Sequence, residues 1–548
     1  MSASQEVMLA VRNLTIEFQT DESTVRAVDN LSFDLHKNEI LGIVGESGSG
    51  KSVTGLSLLR LVPAPVGKIV RGSAVYDGRD LMSMPISELI KIRGREIGII
   101  FQEPMTALSP LMTIGDQFVE TLQLHFDITK KEARERAIEW LAKVGIPSPE
   151  ERMGAYPFEF SGGMRQRVMI ASVLMLDPKI IIADEPTTAL DVTTQRQIFE
   201  LILQVKSEDS SIIFITHDMG VIWQLCDRVM VMERSRKVEE GKLRDLFASP
   251  KEGYTRKLLS SVPRLTDEPI AREGLSLPIL TVENLKTWFP IKKGIFSRTV
   301  GHIKAVDDVS LEIMEGETLA VVGESGSGKS TLGRTILGLE KALSGKVTFR
   351  GQQLVGMKMA ELKTLRRDMQ IVFQDPFSSL NPRMTILDIL TEGMEEHRLL
   401  EGKSKADVAV RLMEEVGLSA DQIYRYPHEF SGGQRQRICI ARAMSLRPQL
   451  IILDEAVSAL DVTIQAQVID LLMELQERHN LSYLFISHDL SVVKRIAERT
   501  AVMRRGKIVE YGLTKDVIGN PQSEYSQKLL AAVPVPGSED SRLSIRKG

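Results

Sequence analysis

One eight-residue string, GESGSGKS, occurs twice in this chain, at residues 45–52 and again at 323–330. Further strings recur in the same order. FQEP at 101–104 returns as FQDP at 373–376, and FSGGMRQR at 160–167 returns as FSGGQRQR at 430–437. DEPTTALDVT at 184–193 matches DEAVSALDVT at 454–463, and ITHD at 215–218 matches ISHD at 486–489. The ends agree as well, with YTRKLLSSVP at 254–263 against YSQKLLAAVP at 525–534. A repeat this long is a whole domain rather than a solenoid unit, so the chain is built by duplication.

The alignment of the halves sets the boundaries. Residues 1–262 form a first domain whose C-terminal segment spans about 240–263, and residues 279–535 form a second with its C-terminal segment at about 512–535. Between them, PRLTDEPIAREGLSLP at 263–278 is rich in proline and charge and reads as a linker. The polar tail 536–548 reads as flexible and frayed. Across 548 residues, 43% apolar and 26% charged side chains belong to an ordinary globular protein. A net charge of −4 offers no basic field for nucleic acid. Cys226 and Cys439 match no metal spacing or disulfide framework, which points to a reducing, cytoplasmic compartment. The opening MSASQEV lacks the basic and apolar regions of a signal peptide. No run of about 18 apolar residues occurs, so a membrane role has to come through a partner.

Within each half, short apolar runs alternate with helical patterns, the mark of an α/β fold around a largely parallel sheet. EILGIVGES leads into the glycine loop, KIIIADE ends on two acids, and SIIFITHD ends near a histidine. LTIEF and LKTWF, early in each half, read as strands of a small antiparallel layer. Val408, Leu412 and Val416 recur every four residues, as one buried helix face requires.

The glycine loop carries phosphate chemistry. It runs Gly45, Glu46, Ser47, Gly48, Ser49, Gly50, Lys51, Ser52 and Val53 in the first half. In the second it runs Gly323, Glu324, Ser325, Gly326, Ser327, Gly328, Lys329, Ser330 and Thr331. Glycines let backbone N–H groups turn inward on phosphates, and the following helix adds about half a positive charge at its start. Lys51 and Lys329 reach the β and γ phosphates, while Ser52 and Ser330 ligate Mg²⁺. The acidic pairs Asp184–Glu185 and Asp454–Glu455 close an apolar strand, the edge where open α/β sheets bind ligands. The first acid of each pair holds Mg²⁺, and the second orients and deprotonates the attacking water. His217 and His488, each following another apolar strand, are read as γ-phosphate contacts. Gln102 and Gln374, repeated in FQ[ED]P, join them as ATP and Mg²⁺ neighbours.

SGG followed by RQR, upstream of the acidic strand, resembles the signature of ATP-binding-cassette ATPases. The resemblance covers nearly the whole chain. It implies two P-loop domains, each with a RecA-like parallel-sheet core, an antiparallel β subdomain and a helical subdomain. It also implies intramolecular head-to-tail pairing of the two cassettes. On that pattern the first site joins Lys51, Ser52, Gln102, Asp184, Glu185 and His217 to Ser431, Gly432, Gly433 and Gln434. The second joins Lys329, Ser330, Gln374, Asp454, Glu455 and His488 to Ser161, Gly162, Gly163 and Met164. Phe18 and Phe289 stand where the family stacks an aromatic on adenine. Ala189–Asp191 and Ala459–Asp461 match the loop through which paired domains sense each other. Two positions depart from the pattern: Met164 replaces a glutamine and Ala456 replaces a proline. Both glutamates and both histidines are present, so two competent sites are expected.

Within that family, GKSVT, FSGGMRQRVMIA and IADEPTTALDVT resemble one ATPase of dipeptide and oligopeptide importers, and FSGGQRQRICIARA with DEAVSALDVT resembles its partner. A single chain holding both is similar to the fused ATPases of glutathione and related small-peptide import. The resemblance implies two integral-membrane permease subunits, a solute-binding protein on the outer side, and a peripheral place on the cytoplasmic face of the inner membrane. Permease helices would dock near Gln102–Pro110 and Gln374–Pro382. The cysteines that hold an iron–sulfur cluster in some members are missing, so none is expected. The basic segment Lys292–Arg298 reads as a solvated hairpin tip. Nickel, oligosaccharide or opine-like solutes remain alternative cargoes. Tandem cassettes of ribosome-bound factors carry a long basic linker and those of DNA repair carry zinc cysteines, and this chain has neither.

Overall fold

The computed structural model describes residues 6–19, 23–187, 191–206, 209–261, 277–293, 298–400, 402–458, 460–534, 536 and 542–543. The expected linker, apart from Leu277 and Pro278, lies outside the described residues. So do Ala189, Ala459 and the centre of the Lys292–Arg298 hairpin. The chain divides into two units, the first including Arg542 and Leu543 and the second including the short stretch Asp191–Thr193.

In the first unit a four-stranded sheet runs in the order Thr24–His36, Val7–Gln19, Gly67–Tyr76, Arg79–Asp80, with every pairing antiparallel. Leu14 and Ile16, from the LTIEF string, face its core and are fully buried. A six-stranded sheet follows, in the order Arg236–Lys242, Arg228–Glu233, Ile40–Val44, Ser211–Thr216, Ile180–Asp184, Ile97–Ile100. Only Arg236–Lys242 is antiparallel to its neighbour. The three central strands are buried along their whole length. That is why their sequences read as continuous apolar runs rather than alternating ones.

Register sets the site. Val44 pairs with Thr216, and Asp184 pairs with Ile215. The strand ends that release the glycine loop, the acidic pair and His217 therefore reach one sheet edge together. In the second unit Val322 pairs with Ser487 and Asp454 with Ile486, giving the same edge. Its antiparallel sheet runs Arg298–Met314, Pro278–Lys293, Ser344–Phe349, Gln352–Gln353. Its larger sheet runs Met369–Val372, Leu450–Asp454, Ser482–Ser487, Thr318–Val322, Arg499–Arg504, Lys507–Leu513.

Each unit also carries a group of helices packed on one another. Ile114–His125 and Lys130–Lys143 belong to the first, capped by Thr113 and by a Thr129–Glu132 capping box. Ile386–Glu396 and Lys405–Glu415 belong to the second, and Val408, Leu412 and Val416 are buried as their spacing requires.

An ion pair pins the crossing between sheets in each unit. Arg228 donates through Nε to Glu39 Oε1 at 2.7 Å and through Nη2 to Oε2 at 3.0 Å, while the His36 N–H donates to the same Oε2 at 2.8 Å. The counterpart joins Arg499 Nη2 to Glu317 Oε2 at 2.8 Å, with the Met314 N–H 2.7 Å from that oxygen. Glu317 is fully buried. Both arginines stay protonated under this pull, Arg499 strongly so, held up first by its hydrogen bond to Glu317.

Within the tail, Arg542 and Leu543 are tied to the first unit. Arg542 Nη2 donates to the Cys226 carbonyl at 3.0 Å, and the Leu543 N–H donates to the Gln224 carbonyl at 3.0 Å. These carbonyls close the short helix Met219–Leu225, where a helix end leaves acceptors without intrahelical partners. Leu543 also packs against the unit's larger core. Other residues of 536–548, save Pro536, lie outside the described residues.

Candidate functional site

The glycine loop leaves Ile40–Val44 and enters the helix Lys51–Leu58 through Gly50, whose φ is 96°. A side chain there would run into the Ala27 carbonyl, so the close approach requires glycine. Gly328, φ 107°, does the same against the Ala305 carbonyl before Lys329–Ile336. Lys51 and Lys329 are nearly buried. Lys51 Nζ donates to the carbonyls of Gly45 at 2.8 Å and Glu46 at 2.9 Å. Lys329 Nζ donates to Gly323 at 2.9 Å and Glu324 at 3.0 Å, with Glu455 Oε1 3.7 Å away. Burial pulls the Lys329 pKa down against the opposing pull of the nearby acids. The hydroxyls of Ser49 and Ser327, buried within the two loops, have no hydrogen-bond partner among the described residues.

Opposite the loop, Ser52 Oγ donates to Asp184 Oδ1 at 2.9 Å, and Ser330 Oγ donates to Asp454 Oδ1 at 2.7 Å. Burial pushes the Asp184 carboxyl up to about 6, opposed by the serine hydrogen bond, and raises Asp454 in the same way. These are hard oxygen donors already set side by side, the chemistry Mg²⁺ selects.

Glu185 and Glu455 adopt left-handed backbone, with φ of 44° and 48°. A non-glycine residue there stores strain of about 1–3 kcal/mol and is held only by its surroundings. The Glu185 N–H is tied to the Ile215 carbonyl at 2.9 Å and the Glu455 N–H to Ile486 at 3.0 Å. Both side-chain oxygens of Glu185 are engaged. Gln102 Nε2 donates to Oε2 at 2.9 Å, and His217 Nδ1 lies 3.0 Å from Oε1. In the second half Gln374 Nε2 donates to Glu455 Oε2 at 2.9 Å, and His488 Nδ1 stands 3.5 Å from the same oxygen. Burial works against charge on His217, but the hydrogen bond and charge of Glu185 outweigh it and raise the pKa. Glu455 is held below the usual carboxylate range because His488 and Lys329 outweigh its burial. Each half thus gathers loop lysine, serine, acidic pair, glutamine and histidine.

The SGG segments open helices Gly162–Leu174 and Gly432–Met444. Ser161 caps the first through its hydroxyl, 3.4 Å from the Met164 N–H. Ser431 caps the second likewise, and Gln434 adds the reciprocal bond, its Oε1 accepting from the Ser431 N–H at 3.0 Å. Methionine cannot return that bond, so the Met164 departure costs the first signature half of its capping box. A second asymmetry lies beside Ala456. Buried Gln166 donates to the Pro186 carbonyl, tying the signature helix to the turn after Glu185. Its counterpart Gln436 is equally buried, yet its Nε2 has no partner among the described residues. Phe18 packs in part against the core beneath the antiparallel sheet, whereas Phe289 is 36% exposed.

Comparison with known proteins follows the same division. The ABC transporter family profile matches residues 28–188 and 306–458. The chain belongs to the ABC transporter family. A second profile, the oligopeptide/dipeptide transporter C-terminal region, matches residues 238–279 and 509–548. Among ABC relatives, the peptidoglycan transport ATP-binding protein YejF of Agrobacterium fabrum is 48% identical over 527 residues, spanning 96% of this chain and 96% of its own. The glutathione import ATP-binding protein GsiA of Escherichia coli K12 is 47% identical over 565 residues, spanning 98% of this chain and 90% of its own. The chain is an ABC-type, ATP-binding transporter ATPase with an α/β cassette in each half. No helix among the described residues is long and apolar enough to cross a membrane.

Sequence reading missed the sheet-crossing ion pairs and the left-handed glutamates. A signal for the first was present, because NEILGIV and GETLAVV repeat the acid while CDRVMVM and AERTAVM repeat the arginine.

Proposed function

We propose that this chain hydrolyses Mg²⁺-ATP in both halves to drive import of small peptides through two membrane permease subunits. It would work as a peripheral subunit on the cytoplasmic face of the inner membrane, fed by a solute-binding protein outside. The observation that carries the reading is the coincidence, in each half, of a full hydrolytic set with an oligopeptide/dipeptide transporter C-terminal region. The cargoes named for the relatives, glutathione and peptidoglycan, both contain short peptides.

Ser52 with Asp184, and Ser330 with Asp454, would hold Mg²⁺, which screens the charge of the phosphate oxygens. Lys51 and Lys329 exchange loop carbonyls for β and γ phosphate oxygens. Glu185 and Glu455 take the proton of the attacking water, oriented by Gln102 and Gln374 and by His217 and His488. Exposed Met105 and Phe377, in the two segments expected to receive permease helices, offer apolar contact there. Phe289 is exposed enough to meet an adenine ring.

Two measurements test this. Glu185→Gln with Glu455→Gln should lower ATP turnover at least ~100-fold while leaving nucleotide binding intact. A strain lacking the gene should lose uptake of labelled di- and tripeptides and regain it only with the unaltered chain. Unimpaired peptide uptake in that strain would overturn the import reading, and recovery of the chain with ribosomes or DNA instead of permeases would overturn the transport role.

A further inference from the structure

In each half the C-terminal segment reaches back to the phosphate loop through one tyrosine. The Glu46 N–H donates to Tyr254 Oη at 3.1 Å, and the Glu324 N–H donates to Tyr525 Oη at 3.2 Å. Tyr254 lies in the helix Gly253–Ser260 and Tyr525 in the helix Glu524–Ala531. The peptide so held is the one the lysine also holds. Gly45 C=O and Glu46 N–H are the two poles of a single peptide plane. Lys51 Nζ sits on the first at 2.8 Å, and Tyr254 takes the second. Gly323 and Glu324 repeat the arrangement, with Lys329 Nζ at 2.9 Å.

That plane is where the strand has ended and the loop begins, so its N–H has lost its ladder partner and needs another. The C-terminal helix supplies one from far along the sequence. Apolar packing alone would be served by phenylalanine, since the ring contributes the same area with or without its oxygen. Tyr525 is buried to 6% exposure, and the Arg504 guanidinium lies 4.7 Å over its ring. Burial pushes its phenol up to about 12, so it meets the loop as a neutral acceptor. The same hydroxyl-to-loop bond recurs in both halves although the flanking residues differ, TRKLL against SQKLL.

We propose that Tyr254 and Tyr525 are positioning residues for nucleotide binding, through which the C-terminal segment sets ATP affinity at each site. The proposal rests on the reading of these loops as ATP sites. When phosphates arrive, the lysine leaves the carbonyl pole of the plane, and the tyrosine bond at the opposite pole keeps the peptide in place. Without the hydroxyl, the loop has to be ordered by the nucleotide itself, and the ordering is subtracted from affinity.

The test uses the full chain with Tyr254→Phe, Tyr525→Phe and the pair, and Tyr424→Phe as a control on an exposed tyrosine. Mg²⁺-ADP binding is titrated calorimetrically, and ATP turnover is measured over a range of ATP. Loss of one net hydrogen bond should weaken binding about fivefold at the altered site. KM should rise with it while kcat stays within about twofold, and the control should match the unaltered chain. Deuterium uptake at the Glu46 and Glu324 amides should quicken in the nucleotide-free variants. Unchanged Kd and KM in the double variant, with only a lower melting temperature, would overturn the proposal and leave the hydroxyls as packing detail. Failure of the unaltered chain to bind Mg²⁺-ADP would instead strike the ATP-site reading beneath it.

Discussion

His217 Nδ1 lies 3.0 Å from Glu185 Oε1. With Gln102 on the other oxygen, the carboxylate has no freedom to turn away from where a water would stand. His217→Ala with His488→Ala should therefore cut kcat for ATP by at least about tenfold, within the range a positioned base contributes. KM should change little. Steady-state ATPase assays check this, and an unchanged kcat would remove the histidines from the hydrolytic account.

Asp184 gives a pH-dependent stability effect whose sign is fixed. Its folded pKa of about 6 stands above the ordinary carboxylate value, so its contribution to stability is present at low pH and fades as pH climbs towards and past 6. Above that the buried charge costs about 3 kcal/mol. Asp184→Asn, which keeps an acceptor for Ser52, should raise the melting temperature of metal-free, nucleotide-free protein at pH 8 and hardly at pH 4. Thermal unfolding in EDTA at both values decides it; equal shifts would contradict the assignment.

Arg499 tests the sheet-crossing ion pair. Replacing it with methionine leaves Glu317 fully buried without its partner, a loss of about 3–5 kcal/mol. Adding Glu317→Gln to Arg499→Met should recover part of that. Denaturant unfolding of the two variants should show the second more stable than the first.

Gln166 and Gln436 should respond oppositely to the same change. Gln166→Leu strips the Pro186 carbonyl of its donor and should cost about 1–2 kcal/mol. Gln436→Leu removes a buried amide nitrogen that has no partner among the described residues and should be neutral or mildly stabilising. Chemical denaturation of both variants provides the comparison.

Much of the scaffold was legible because it depends on local pattern. The buried runs at Ile40–Val44 and Ile180–Asp184 read as parallel strands, and the glycine spacing marked where the loop had to turn. What stayed hidden depends on long-range geometry. Arg228 and Glu39 are far apart in sequence and meet only because two strands become neighbours in the sheet. The left-handed turn at Glu185 follows from how the strand end meets Ile215, which no propensity for glutamate reveals. The contacts of Arg542 and Leu543 with the helix Met219–Leu225 are likewise long-range, and the polar composition around them gives no sign of them.

Ser161 and Ser431 each cap a signature helix, one with Met164 three residues on and one with Gln434. The molecule thus carries its own internal comparison. The same loop exists twice at one concentration and one temperature, differing at the capping partner as a designed substitution would. A probe that resolves the two loops reads the combined effect of that capping partner and of the Gln166 bond that its counterpart Gln436 lacks, without a mutant being made. Every preparation, active or not, contains both arms of the comparison.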